Sequence, residues 1–380
     1  MTPERLARLS ALRHALHQIP EVSGAEEKTA SFIADHLQQY QPDQIVTGLG
    51  GYGVAAVFRS AAPGPTVMIR CELDGLPIEE QSDLAYRSTH TGRGHLCGHD
   101  GHMTMVVALA EEFHANRPAT GCVILLFQPA EETGKGAPAV IADPAFARLA
   151  PDYVFSLHNL PGLAVGQVAI SEGAANCASR GLRIKLTGKT SHAAAPQDGI
   201  SPAGVVSQLL PQLADLAEGE DLDNSFAAVT VTHAQLGEPT FGIAPGYGEV
   251  WATLRTVTDA RMAQLIEDAS ARVRTLCQAA GLAFEVEFDD VFEACTNDAE
   301  AAARLRNASA AVGFPMAQLT KPQRWSEDFG QFSKQAKAAM FWLGSGLDQP
   351  QLHNPDFDFP DASIPVGVAI FSRVIKDLLG

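Results

Sequence analysis

Little in this 380-residue chain points to a membrane, a disulfide scaffold or a nucleic acid. Its six cysteines (71, 97, 122, 177, 277 and 295) are scattered without paired spacing. That pattern excludes a disulfide framework and predicts a reducing, cytoplasmic setting. No apolar run approaches the roughly 20 residues of a spanning helix. The opening residues, Met1-Thr2-Pro3-Glu4-Arg5, are polar and lack the apolar core and cleavage site of a signal peptide. Positive charge is scarce: 27 Lys+Arg stand against 44 Asp+Glu, a net charge of −17. This argues against nucleic acid or an anionic membrane as partner. There is no internal repeat and no low-complexity tract. What is present, 46% hydrophobic and 19% charged residues, is the composition of a soluble globular protein of roughly two to three domains.

The apolar spacing predicts helices over residues 4–18 and 24–40, strands over 53–58 and 66–70, a helix over 101–114, and buried strands over 122–127 and 153–157. Strands alternating with helices predict an α/β layer with a mixed, largely parallel sheet. The middle of the chain has another style. Leu182-Arg183-Ile184-Lys185-Leu186 alternates apolar and charged residues, as a strand with one wet face does. A helix near 202–216, strands at 226–231 and 249–255, a helix at 259–280 and an alternating strand at 282–288 complete a β-α-β-β-α-β order, the ferredoxin-like split βαβ unit. The helix-and-strand style then resumes, with a helix at 299–311, a strand at 338–343 and a helix at 365–379. The expected organisation is a catalytic α/β domain built from residues 1–179 and 294–380, with an α+β domain inserted at 180–293.

The most informative stretch is His95-Leu96-Cys97-Gly98-His99-Asp100-Gly101-His102. One thiol and three imidazoles precede a predicted helix, and these are preferred ligands of zinc and related divalent ions. Gly98 lets the backbone bend so that Cys97 and His99 face one point. Taken alone, the run also fits a polar loop. Three further groups each follow an apolar strand: Glu131-Glu132 after 122–127, His158-Asn159 after 153–157, and His353-Asn354 after 338–343. Open α/β sheets place their sites beyond the carboxyl ends of their strands. Cys97, His99, Glu132, His158 and His353 make five donors. With a bridging hydroxide and one bridging ligand, they suffice for two four-coordinate ions. A thiolate or a carboxylate can bridge, and Cys97 is the leading candidate. Glu131 is then the natural general base, taking a proton from the attacking water and passing it to the leaving nitrogen. Cys and His favour zinc; manganese, cobalt and nickel are also compatible.

At these residues the sequence resembles the M20 metallopeptidase/aminoacylase family. It looks most like the branch of N-acyl-amino-acid amidohydrolases that includes hippurate and auxin-conjugate hydrolases. The resemblance rests on Cys97-Gly98-His99-Asp100-Gly101-His102, Gln128-Pro129-Ala130-Glu131-Glu132, Leu157-His158-Asn159, Ser191-His192-Ala193-Ala194, Ser326-Glu327-Asp328-Phe329 and Leu352-His353-Asn354-Pro355. It implies two divalent metals on the five donors above, zinc or manganese first, and Glu131 as base. The inserted domain would act as a lid and dimerisation domain. His192 would reach a neighbouring active site and steady the oxyanion. The resemblance also implies Asp74 as the acceptor that orients a metal-binding His. Arg255 would hold the substrate carboxylate. The partner would be a small N-acyl amino acid or conjugate. The chain departs from the branch at Glu72, Asn176, Cys177, Gln197, Ser201, His233 and Gly242, so its recognition surface is altered more than its metal chemistry.

Other readings are a dipeptidase or aminopeptidase on the same scaffold, a metal-stabilised binding protein without catalysis, and a Cys97 thiol hydrolase. A peptidase needs an acidic group for a free α-amine, and the sequence offers no evident one. A binding protein needs no Glu131 beside its ligands. A thiol nucleophile leaves Glu132, His158 and His353 without a role.

Overall fold

A computed structural model describes residues 1–380. Two compact units divide the chain. One comprises residues 1–175, 296–320 and 328–380, the other 176–295 and 321–327. The short return of 321–327 to the second unit has no counterpart in the sequence pattern.

The first unit is built on an eight-stranded mixed sheet. Its order is Gln44–Leu49, Gly53–Arg59, Cys122–Gln128, Thr66–Glu72, Tyr153–Pro161, Lys337–Gly346, Val168–Ala169 and Met316–Ala317. The four central strands, 122–128, 66–72, 153–161 and 337–346, run parallel. The 53–59 strand pairs antiparallel with 122–128 and with 44–49. Residues 54–58, 67–72 and 123–128 are buried without alternation. That is the signature of strands covered on both faces, and it explains why their sequences read as continuous apolar runs. The predicted helices form at Pro3–His17, Glu27–Gln38, His99–Ala115, Ala299–Val312 and Ile364–Leu379. Thr2 caps the first by accepting from the Arg5 N–H, and Asp298 caps the fourth by accepting from the Ala301 N–H. Helix 99–115 begins two residues earlier than its apolar period suggests, so His99 lies in its first turn. The sequence pattern missed the 44–49 strand, the two-residue strands and the helix Gly136–Ala142. Strand 44–49 is mostly half-exposed and carries no clear alternation.

The second unit has the expected β-α-β-β-α-β order. Strands Ala178–Thr187, Ala227–Leu236, Tyr247–Thr256 and Ala283–Phe292 form one antiparallel sheet, with 178–187 and 247–256 central. Leu182, Ile184 and Leu186 pack with Leu209, Leu213, Leu265 and Val273 from helices Ala203–Ala214 and Asp259–Ala280. Arg183 and Lys185 occupy the opposite face, where they reach Asp289 and Glu287. Phe288, assigned by alternation to the apolar face, is 37% exposed. The strand's register shifts just beyond it, between Asp289 and Phe292.

Candidate metal centre and active site

The five donors read from the sequence come together in the first unit. Cys97 Sγ lies 3.3 Å from His158 Nε2. His99 Nε2 is 3.9 Å from Glu132 Oε1, and Glu132 Oε2 is 3.4 Å from His353 Nε2. The donor atoms form two overlapping sets, Cys97/His99/His158 and Cys97/Glu132/His353, each with its atoms within 4.8 Å of one another. Cys97 belongs to both. His158 lies inside its strand rather than just past it, because the strand runs on to Pro161. His353 sits on a loop with φ +67°, fixed by its N–H donating to the Leu96 carbonyl at 2.9 Å.

The loop before helix 99–115 depends on Gly98. Its φ is +99°, and a Cβ there would fall 2.2 Å from Asn159 Oδ1. Asn159 in turn bonds His102 Nε2 at 2.6 Å, so only glycine lets Cys97 and His99 approach strand 153–161 this closely.

Two imidazoles are prepared as ligands. His99 Nδ1 bonds the Asp74 carbonyl at 2.8 Å, and His158 Nδ1 bonds the Asn159 carbonyl at 2.8 Å. Each ring thus donates through Nδ1 and presents Nε2 to the cluster. The orientation expected from the Asp74 carboxylate comes instead from its backbone. Asp74 Oδ1 stands 3.6 Å from His99, while Oδ2 accepts from Ser23 and the Glu132 N–H. The Nε2 of His99 is buried and has no hydrogen-bond partner, which is what a metal ligand looks like without its ion. Electrostatics agree. Burial alone would lower the His99 pKa, yet Asp74, Glu72 and Glu132 hold it up at about 10. Burial, then Glu132 and Glu131, push the Cys97 thiol well up. A divalent cation meets the demand for positive charge that a proton on His99 otherwise meets, so the donor set fits metal ions.

Glu131 is buried, with Oε2 3.9 Å from His99 Nε2 and Oε1 accepting from the Asp328 N–H at 3.4 Å. It belongs to neither Cys97 set but forms a third with His99 and Glu132. Behind it lies a network that sequence reasoning missed. Arg70, buried in strand 66–72, donates to Glu72, to Gln128 at 2.8 Å and to Asp328 Oδ1 at 2.6 Å. Asp328 also accepts from Gln128 Nε2 and the Ala137 N–H, and Glu72 holds His102 Nδ1 at 2.6 Å. Burial would raise the Glu72 pKa, but Arg70 and His102 hold it far below the carboxylate range. The available signal was an arginine inside an otherwise apolar central strand, which must have acidic partners. A second buried cluster ties the N-terminal helix to helix 99–115. There Arg13 and His17 meet Asp100 at 3.0 and 2.9 Å.

The remaining predicted residues belong to the second unit. His192 is exposed in a two-residue strand opposite Ile243, and its Nδ1 accepts from the Ala194 N–H at 3.0 Å, leaving Nε2–H as a donor. Arg255 Nη1 donates to the Arg324 carbonyl and to Ser326 Oγ at 3.0 and 3.1 Å. Burial lowers its pKa, against a small opposing effect of Cys177. Gln197 lies in a 3-10 turn, Gly242 is exposed beside the His192 strand, Asn176 donates to the Trp325 carbonyl, and His233 meets Trp251 edge-on.

Comparison with known proteins decides the family. The model of peptidase family M20/M25/M40 matches residues 68–377. The chain belongs to this family. Among M20 relatives, the N-acetyldiaminopimelate deacetylase of Bacillus velezensis is 29% identical over 374 residues, covering 96% of this chain and 98% of that protein. The Streptococcus pneumoniae deacetylase of the same name is 29% identical over 373 residues, covering 96% and 97%. The solved structure of Bacillus subtilis YxeP, described as a dinuclear metal-binding peptidase of the M20 family, superposes with a TM-score of 0.84. It is 25% identical and covers 100% of this chain and 99% of its own. The chain is thus a metal-dependent M20 amidohydrolase, and its clustered donors are the matching feature. No helix is long and apolar enough to cross a membrane.

Proposed function

We propose that this M20 enzyme hydrolyses the amide of small N-acyl amino acids or related conjugates, with N-acetyl amino acids as the nearest class given the deacetylases among its relatives. One observation carries the reading: Glu131, a buried carboxylate, adjoins the two Cys97 sets, with Oε2 3.9 Å from His99 Nε2 and within a group shared with His99 and Glu132. Cys97, His99, Glu132, His158 and His353 would hold two divalent ions, zinc or manganese. Such ions supply Lewis acidity towards the scissile carbonyl and lower the pKa of water. Glu131 accepts the proton of the attacking water and delivers it to the leaving nitrogen. The Asp328 N–H keeps this carboxylate oriented. His192 donates from Nε2 to the developing oxyanion, in a dimer formed through the inserted domain, residues 180–293. Arg255 holds the substrate carboxylate, and no carboxylate of the chain is seen to occupy it. Six free thiols fit a cytoplasmic setting.

The test is a substrate panel of N-acetyl and N-benzoyl amino acids, N-acetyldiaminopimelate and dipeptides, run on metal-loaded protein. Glu131→Gln should keep its metal and lose about 10²–10⁴-fold in kcat. Chelation should abolish turnover, and zinc or manganese should restore it. Hydrolysis confined to dipeptides would replace this reading with a peptidase. Full activity of Glu131→Gln would remove the base.

A further inference from the structure

Glu26 has no part in the chemistry above, yet its placement is costly. Its side chain is fully buried at the start of helix 27–38, and its Oε2 has no hydrogen-bond partner. Burying a carboxylate on so few donors works against stability. Its Oε1 accepts from two backbone N–H groups, Gly24 at 2.9 Å and Ala130 at 2.8 Å. Ala130 is itself unusual. Its φ is +50°, one of only four non-glycine residues at positive φ. Alanine has no polar side chain to favour that left-handed conformation, so the surroundings must impose it. The next residue is Glu131. On its other side the Glu132 N–H donates to Asp74 Oδ2 at 3.0 Å. The two peptide N–H groups that flank Glu131 are therefore each held by a buried carboxylate from a distant part of the chain.

We propose that Glu26 is a positioning residue for Glu131: by gripping the Ala130 N–H it holds residue 130 left-handed, and this aims the Glu131 carboxylate at the site. The inference rests on Glu131 being the general base. If Ala130 relaxed to an ordinary conformation, the chain direction entering Glu131 would turn. A displacement of about 1 Å at a reacting group can cost about 10²-fold. Strain and an unsatisfied buried oxygen at one point next to the base are what a functional constraint leaves behind.

The test is a cycle of Glu26→Ala, Ala130→Gly and the double variant, with Glu131→Gln alongside. It uses the acyl amino acid the wild type turns over fastest. Glu26→Ala should lose about 10²-fold in kcat, with KM changed by less than about threefold and metal content per chain unchanged. Glycine adopts the left-handed conformation freely, so adding Ala130→Gly should recover at least about fivefold of the loss in kcat. A merely structural role predicts the opposite, because glycine only loosens the chain further. Glu26→Gln keeps an acceptor at Oε1. It should fold where Glu26→Ala does not, and it should retain at least about tenfold more kcat than the alanine variant. Amide exchange over residues 129–133 should rise at least tenfold in Glu26→Ala, and this readout needs no substrate. Wild-type kcat in Glu26→Ala, no recovery in the double variant, or unchanged exchange would each overturn the proposal. If instead Glu131→Gln stays active, or no panel member is hydrolysed, the base assignment itself fails and this inference falls with it.

Discussion

Replacing Arg70 by methionine removes a guanidinium that serves two buried carboxylates. Glu72 and Asp328 are 0% and 1% exposed, and both accept from the Arg70 guanidinium. An exposed pair broken this way would cost at most about 1 kcal/mol. A buried pair that loses one partner costs about 3–5 kcal/mol, because the surviving charge cannot reach water. Methionine conserves much of the volume, so the loss is electrostatic and not a cavity. For a unit of this size each kcal/mol lowers Tm by roughly 2–4 °C, so Arg70→Met should unfold at least about 6 °C below the wild type in a calorimetric scan. Adding Asp328→Asn to Arg70→Met removes one stranded charge and should recover part of the shift. A Tm within about 2 °C of wild type, equivalent to the value of an exposed pair, would refute the account of this network. A double variant less stable than Arg70→Met would refute it as well.

Gly98→Ala should lower metal retention and activity together. The new Cβ would fall 2.2 Å from Asn159 Oδ1 at φ +99°, so the loop carrying Cys97 and His99 must shift; elemental analysis and turnover measure this, and wild-type values for both would contradict it. Cys97→Ser should reduce bound metal from about two ions per chain to about one or fewer, since the thiolate belongs to both donor sets. Alkaline stability should depend on His17. Burial alone would lower its pKa, but Asp100 and Glu80 raise it to about 10 from 6.5. The folded chain then holds a proton that the unfolded chain releases. The stabilisation is complete below pH 6.5 and is lost as pH rises towards about 10. Urea midpoints should fall across that window, and His17→Gln should flatten the decline; a wild-type profile that is already flat would contradict the assignment.

Particular residues show where sequence reasoning stopped. The order of strands and helices in both units was legible because burial imposes period: a continuous apolar run at Val123–Phe127, alternation at Leu182–Leu186. The short strand 168–169 was not, since two residues carry no period. Cys97, His99, Glu132 and His158 could be nominated from residue type and position after strands. Glu26 and Arg70 could not be given roles, because a charged side chain in a sequence does not announce what it will be buried against.

By itself, then, the sequence determined the chemistry on offer: thiolate, imidazole and carboxylate donors, a spare Glu131, and a chain of the M20 pattern to carry them. Tertiary structure alone decided which nitrogen of His99 faces the cluster, that a backbone carbonyl of Asp74 orients it, that Glu26 accepts from the Ala130 N–H, and that the Asp328 N–H donates to the Glu131 carboxylate. The reason is physical. Residue type sets what a group can bind, but hydrogen bonds between residues some 100 to 200 positions apart exist only once packing has excluded water from between them.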